Sequence, residues 1–233
     1  MVSGNRILGA LAPSVRTELQ RSLETVDLRF GEVLAEAGEP LRFAYFPHKG
    51  VISLLQTLPS GDTAETGTVG PEGMVESASV LGADVAMSRS IVQVAGSAGR
   101  IQMEPFRRLL GQYPQLRALL NGYLQAFFKQ LLHSIACNGL HSAEERCARW
   151  LLMTHDRVGS DSFPITQEFL AEMLGVRRTT VGLVAGALQS AGLIRYRRGQ
   201  MNILDRPGLE QVSCECYGIM RSAYESLLPK APG

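Results

Sequence analysis

Six arginines stand between Arg177 and Arg206 against a single acid, Asp205, in a chain of 233 residues whose formal net charge is only +1. Guanidinium groups at that density can hold phosphate oxygens, and one on the right face can pair bidentately with guanine in the major groove. Because the whole chain is close to neutral, any nucleic-acid footprint has to be this local patch. Arg177, Arg178 and Thr179 form a run, and Arg195, Arg197 and Arg198 surround Tyr196 just before Gly199. Threonine can touch a thymine methyl or either kind of base. Together with Thr166 and Gln167 at the head of the same stretch, these residues are the expected DNA-contacting set.

A second kind of chemistry is readable further upstream. The segment Val69 to Gly82 interrupts a strand-like pattern with a glycine-flanked turn and a short helix-like piece, seven residues before Arg89-Ser90. Unpaired N–H groups at a helix start and an opposing arginine can bind a phosphate or carboxylate. That makes Gly73, Met74, Glu76, Arg89 and Ser90 candidate residues for a small anionic effector. The other reading of the same residues is a loop crossing a barrel with Arg89 on a surface strand.

Catalytic and metal chemistry find less support. Only His48 of the four histidines lies in the N-terminal half, so a metal-dependent barrel enzyme lacks its ligands there. No nucleophile, base and orienting acid can be placed together, and the chain is expected not to be an enzyme. Cys214 and Cys216 form a C-x-C pair, but on a single helix from Gly208 to Leu228 neighbours two apart diverge, and no second pair lies near in sequence. No metal site is therefore expected, and no cofactor is assigned. The N-terminus has no apolar run of signal-peptide length, which points to the cytoplasm.

The elements that must position these residues follow from periodicity. Pro13 to Glu24 carries Val15, Leu19 and Leu23 at four-residue steps, an amphipathic helix with Ser14 available as its cap. Short apolar runs then follow at Val26 to Phe30, Val33 to Ala35, Phe43 to Phe46, Val51 to Leu58, Ala64 to Val69, Ser90 to Val94 and Gly99 to Met103, broken at Gly31, Gly38, Pro47, Gly50, Pro59 to Asp62 and Gly96, as in an antiparallel sandwich or barrel. A short helix opens at Pro105, and a long one runs from Pro114 to about Leu140. Its apolar surface is too wide for one buried face, while Asn121, Gln125, Lys129, Gln130 and His133 are too polar for a membrane span. Two packing partners are expected: the barrel on one face and the same helix of a second subunit on the other, through Leu120, Tyr123, Leu124, Phe127 and Leu131. An internal core helix is the alternative.

After a break at Asn138-Gly139, Ser142 and Glu145 have capping-box spacing for a new helix. Thr166 then caps a helix bearing Phe169, Leu170, Met173 and Leu174, Gly175 turns the chain, and Val181, Val184, Ala185 and Leu188 line the inner face of the next helix. A basic hairpin and a last helix complete a winged helix-turn-helix. The fold class is α+β: an antiparallel, cupin-like or cyclic-nucleotide-binding-like β-roll over 1–112, a dimerisation helix over 113–140 and a winged reader over 141–233.

On Ile165-Thr-Gln-Glu through Gly175, Arg178-Thr-Thr-Val-Gly182 and Gly192-Leu-Ile194, the chain resembles the Crp/Fnr superfamily of bacterial transcription regulators, and the resemblance covers nearly its whole length. It implies a homodimer on double-stranded DNA with a two-fold-symmetric site, RNA polymerase as a further partner, and control by an effector in the β-roll. Arg178 matches the family's base-contacting arginine, Thr179 stands where the cyclic-AMP receptor has a glutamate, and Leu183 where it has a second arginine. The nucleotide motif departs: Gly73 is followed by Met74 instead of a glutamate, the segment to Arg89 is longer, and Phe127 and Phe128 replace the adenine contacts of the dimer helix. Glu76 is the candidate displaced sugar-binding acid. No N-terminal cysteine cluster is present to hold iron and sulfur. The alternative function is a ligand-independent repressor or architectural protein whose β-roll only supports dimerisation.

Overall fold

The computed structural model describes residues 4–227. Two small helices, α1 (Arg6–Ala10) and α2 (Pro13–Ser22), precede β1 (Glu24–Leu28), β2 (Val33–Ala35), β3 (Phe43–Thr57), β4 (Thr63–Val69) and β5 (Arg89–Gln102). All five strands pair antiparallel in the order β1-β5-β3-β4, with β2 also on β5. Next come α3 (Met103–Gln112) and α4 (Pro114–Leu140). The C-terminal part holds α5 (Ala143–Val158), β6 (Ser162–Pro164), α6 (Gln167–Leu174), α7 (Arg178–Ser190), β7 (Ile194–Arg197), β8 (Gln200–Ile203), α8 (Arg206–Val212) and α9 (Cys216–Leu227). The architecture is the expected α+β arrangement of an antiparallel sheet, a long helix and a winged helix-turn-helix. Among the described residues no helix is long and apolar enough to cross a membrane.

Several local expectations change. The breaks read at Pro47, Gly50 and Gly96 are not strand ends: β3 and β5 run straight through them with shifts of register. Pro47 is tolerated because β4 joins β3 only from Ile52 onward, so this part of β3 carries one ladder. A Cβ on Gly96 would run into the Lys49 carbonyl, so the glycine marks a bulge where two backbones approach closely. In α2, Ala12 occupies the cap position with Pro13 first in the helix, and Ser14 caps nothing. The break at Asn138-Gly139 is also absent, since α4 continues to Leu140. The capping box of Ser142 and Glu145 is formed. β6 had no periodic signal, being three residues long. The single last helix is two, α8 and α9, separated at Ser213 to Glu215; Leu228 lies outside the described residues.

The long helix packs as the sequence pattern requires, but with its faces assigned differently. Leu116, Leu120, Tyr123, Leu124 and Phe127 are buried in the subunit's own core against the sheet and α9, with Tyr123 stacked on Phe127 and tilted against Tyr224. Leu131 is partly buried against the same core. The residues expected at a dimer contact therefore mostly face inward, because a 27-residue helix lying along a sheet spends its widest stripe there. The open apolar side is instead Phe128, Leu132 and Ile135, at 48%, 67% and 71% exposure.

A buried polar network ties the domains together. Arg157 on α5 donates to Glu72 (2.8 Å), to Thr68 Oγ1 (2.7 Å) and to Gln130 Oε1 on α4 (3.1 Å), and Tyr224 on α9 donates to the same Gln130 oxygen (2.9 Å). Paired and fully hydrogen-bonded, such a group fixes geometry more than it adds stability.

Candidate nucleic-acid interface

Thr166 stands before α6 with its hydroxyl accepting from the Phe169 N–H at 3.1 Å, as a cap should. Gly175 then takes a left-handed conformation (φ 61°), which lets the chain turn within three residues into α7. Val181, Val184, Ala185 and Leu188 lock α7 onto a core with Trp150, Phe163 and Leu170. The same phase leaves Arg177, Arg178, Thr179, Gly182 and Leu183 outward and exposed at the N-terminal half of the helix, with Leu183 at 77%. An N-terminal recognition-helix face of this kind is what enters a major groove.

The wing is held in a fixed pose beside it. β7 and β8 are joined by the two residues Arg198 (φ 52°) and Gly199 (φ 74°), both left-handed, as a tight hairpin demands. Tyr196 Oη donates to the Ile165 carbonyl (3.0 Å) and its N–H to Gln189 Oε1 (2.8 Å), joining wing, α7 and the approach to α6. Arg195, Arg197 and Arg198 project exposed from it. The sequence-predicted DNA set is thus assembled on one helix and its adjoining hairpin, with Thr166 exposed and Gln167 half-buried at the start of α6. Reading the sequence missed Glu168, whose carboxylate pairs with Arg178 at 2.8 Å across two exposed side chains. Its only sequence signal is its position inside an otherwise basic reader.

The two halves of the chain each match a known domain. Residues 25–113 match the cyclic nucleotide-binding domain, and residues 145–212 match the Crp-like helix-turn-helix domain. The chain belongs to the Crp/Fnr superfamily. This Crp/Fnr regulator is 27% identical over 202 residues to the transcriptional regulatory protein btr of Bordetella pertussis, covering 81% of each chain. It is 25% identical over 198 residues to the transcriptional regulator SdrP of Thermus thermophilus, covering 82% of this chain and 94% of that one. Its fold is that of FixK2 from Bradyrhizobium japonicum, with a TM-score of 0.70 at 16% identity over 82% of this chain and 98% of the other. Its function is that of a DNA-binding transcription regulator, as in those relatives.

In the β-roll of this Crp/Fnr regulator the expected effector residues are distributed differently from the anticipated anion cradle. Gly73 is covered by the Tyr123 ring, which a Cβ there would strike, and Met74 is fully buried with its carbonyl accepting from Tyr123 Oη at 3.3 Å. The helix-like piece is a five-residue 3₁₀ turn, Ser77–Leu81, preceded by Glu76 in a left-handed conformation (φ 63°). Ser90 donates to Glu76 Oε1 at 2.7 Å, and burial pushes the Glu76 carboxyl above its ordinary range. Arg89 turns outward to Glu36 at 3.3 Å. The structure brings Glu76 and Ser90 together, and it gives Arg89 an acid of its own. Beside Glu76, between sheet and α4, a cavity of about 490 Å³ is walled by Leu54, Leu124, Phe127 and Leu131. Its walls carry the Glu65 and Glu76 carboxyls among mainly apolar side chains, a better match to a largely uncharged ligand than to a phosphate.

Proposed function

We propose that this Crp/Fnr regulator acts in the cytoplasm as a homodimer on a two-fold-symmetric DNA site, paired through the open side of α4. The observation that carries this reading is the stripe Phe128, Leu132 and Ile135, large apolar side chains left open on a helix whose other side is already packed. Burying each contributes about 1.5–3 kcal/mol, enough together to hold two helices across a two-fold axis. With the readers hung on opposite sides of that axis, Arg178 and Thr179 address half-sites about one helical turn, roughly 34 Å, apart. Arg178 reads a base edge; Arg177, Arg195, Arg197 and Arg198 hold phosphates, as do Thr166 and Gln167 at the start of α6.

Sedimentation of Leu132→Glu tests the pairing: a monomer with unchanged circular dichroism is the expected result, and a wild-type profile overturns it. Control by an effector rests on the cavity beside Glu76, whose wall is partly α4 itself, so a ligand there contacts the helix that sets the relative pose of the readers. A ligand acts only insofar as it binds the DNA-competent pose more tightly. A thermal-shift screen that pairs uncharged, mainly apolar compounds with cyclic nucleotides tests this. A rise in melting temperature with the former, lost in Leu124→Trp, supports the cavity; a response confined to anionic nucleotides and lost in Arg89→Ala contradicts it.

A further inference from the structure

The C-terminal turn of α4 and the joint between α8 and α9 meet in a small sulfur-rich core of Cys137, Cys214, Cys216 and Met220. Cys137 lies in the last turn of α4, and His141 caps the end of that helix four residues on, its N–H donating to the Cys137 carbonyl at 3.1 Å. Cys214 and Cys216 were expected to diverge on one helix, but Cys214 sits in the break and Cys216 begins α9, so both thiols turn to α4. The partner pair that sequence proximity could not supply comes from more than seventy residues upstream. Cys137 Sγ and Cys214 Sγ are 3.4 Å apart, Cys216 Sγ and His141 Nδ1 3.8 Å, and all four donor atoms lie within 4.8 Å of one another.

We propose that Cys137, His141, Cys214 and Cys216 bind one zinc(II) ion that pins the end of α4 to the α8–α9 joint. A tetrahedral ion with Zn–S of about 2.3 Å and Zn–N of about 2.0–2.1 Å sets its ligand atoms about 3.6–3.8 Å apart, a spacing this cluster reaches with sub-ångström adjustments. Three thiolates and one imidazole with no further position form a closed structural set, and they suit zinc over the oxygen-seeking magnesium or calcium.

Two features around the four residues point to an ion independently. His141 offers Nδ1 to the cluster while its Nε2 lies 3.2 Å from the Glu215 carboxylate, the arrangement that orients a metal-bound imidazole and raises its basicity. Arg149 is 8% exposed and, among the described residues, has no carboxylate in ion-pair distance; its Nη1 lies 3.3 Å from Met153 Sδ and 3.9 Å from Met220 Sδ. A zinc ion with three thiolates carries one net negative charge, which this guanidinium neutralises. Metal entry releases the thiol protons, so affinity falls with falling pH. The ion would sit where the helix proposed for dimerisation hands over to the reader, fixing the angle between them.

The test uses full-length protein, reduced, stripped with a chelator and titrated with cobalt(II) as a spectroscopic probe. Tetrahedral ligand-field bands with thiolate-to-cobalt charge transfer, saturating at one equivalent per chain and displaced by zinc, are expected. Cys214→Ser and His141→Ala should lose this spectrum, and Cys147→Ser, a buried thiol outside the cluster, should keep it. Glu215→Gln should keep the bands with about 10- to 100-fold weaker affinity. Should the cluster variants fail to fold, the wild-type titration and Glu215→Gln still decide. A wild-type titration without saturating tetrahedral bands, or a Cys214→Ser protein that retains them, overturns the site.

Discussion

In the reader, Arg177, Arg178, Arg195, Arg197 and Arg198 all stand exposed, and among the described residues only Arg178 has an acid in ion-pair distance. In the β-roll three acids turn inward instead: Glu72 onto Arg157, Glu76 onto Ser90, and Glu65 onto Ser53 and Trp150. The reader stores its function as unspent surface charge on a rigid small core. The roll spends its polar groups on holding α4 and α5 in place. A ligand entering the roll must therefore exchange existing hydrogen bonds, whereas DNA meeting the reader displaces mainly water and counterions.

The largest effect that could break this contrast concerns Glu65. The residue is half-buried, but both carboxyl oxygens are enclosed: Oε1 accepts from Trp150 Nε1 at 3.0 Å and Oε2 lies 2.7 Å from Ser53 Oγ. Ser53 is also 2.8 Å from Gln93 Oε1, and one hydroxyl proton cannot serve both acceptors. A protonated Glu65 resolves the conflict by donating to Ser53, which donates to Gln93. Burial accordingly pushes Glu65 up to about 7. A folded-state value raised above the unfolded one means the native state holds a proton that the unfolded chain releases, so stability falls as pH rises from about 4.5 to about 7. Glu65→Gln, which keeps a donor toward Ser53, should remove that loss and gain up to about 3 kcal/mol over wild type at pH 8 and little at pH 4. Urea denaturation at the two pH values checks it, and equal differences at both would refute a neutral Glu65.

On the reader side, Arg178→Ala should cost about 1–3 kcal/mol of discrimination between operator and random DNA while retaining non-specific affinity. Competition binding measures this, and unchanged preference would remove Arg178 from base readout. Arg195→Ala should weaken all sequences alike and lower the salt slope by about one ion. A smaller change is expected for Arg198→Gly: relief of the left-handed backbone should stabilise the protein by about 1 kcal/mol while DNA affinity drops, visible as a rise in both melting temperature and dissociation constant. The smallest belongs to the roll's surface. Arg89→Ala loses a half-exposed pair with Glu36 and should alter stability by less than about 1 kcal/mol.

The same contrast explains what could be read from the chain. The reader was legible because its signals are local: a capping Thr166, a left-handed Gly175, and arginines on the phase opposite to Val181 and Leu188. The extent of α4 was legible too, but not which side stays open, since Leu120 and Leu132 look alike until the sheet is placed. Glu72 and Arg157 are 85 residues apart, and Cys137 and Cys214 are 77, so neither meeting leaves any trace in spacing. Glycines at 50 and 96 were visible, yet a bulge and a strand end share that signature until the partner backbone is known.

Two readers joined across α4 should select paired sites, and selection of binding sites from random duplex DNA by the purified chain decides whether they do. An inverted repeat with half-sites about one helical turn apart is expected, with loss of that symmetry in Leu132→Glu. A lone half-site selected by wild type, or the same inverted repeat selected by Leu132→Glu, would contradict it.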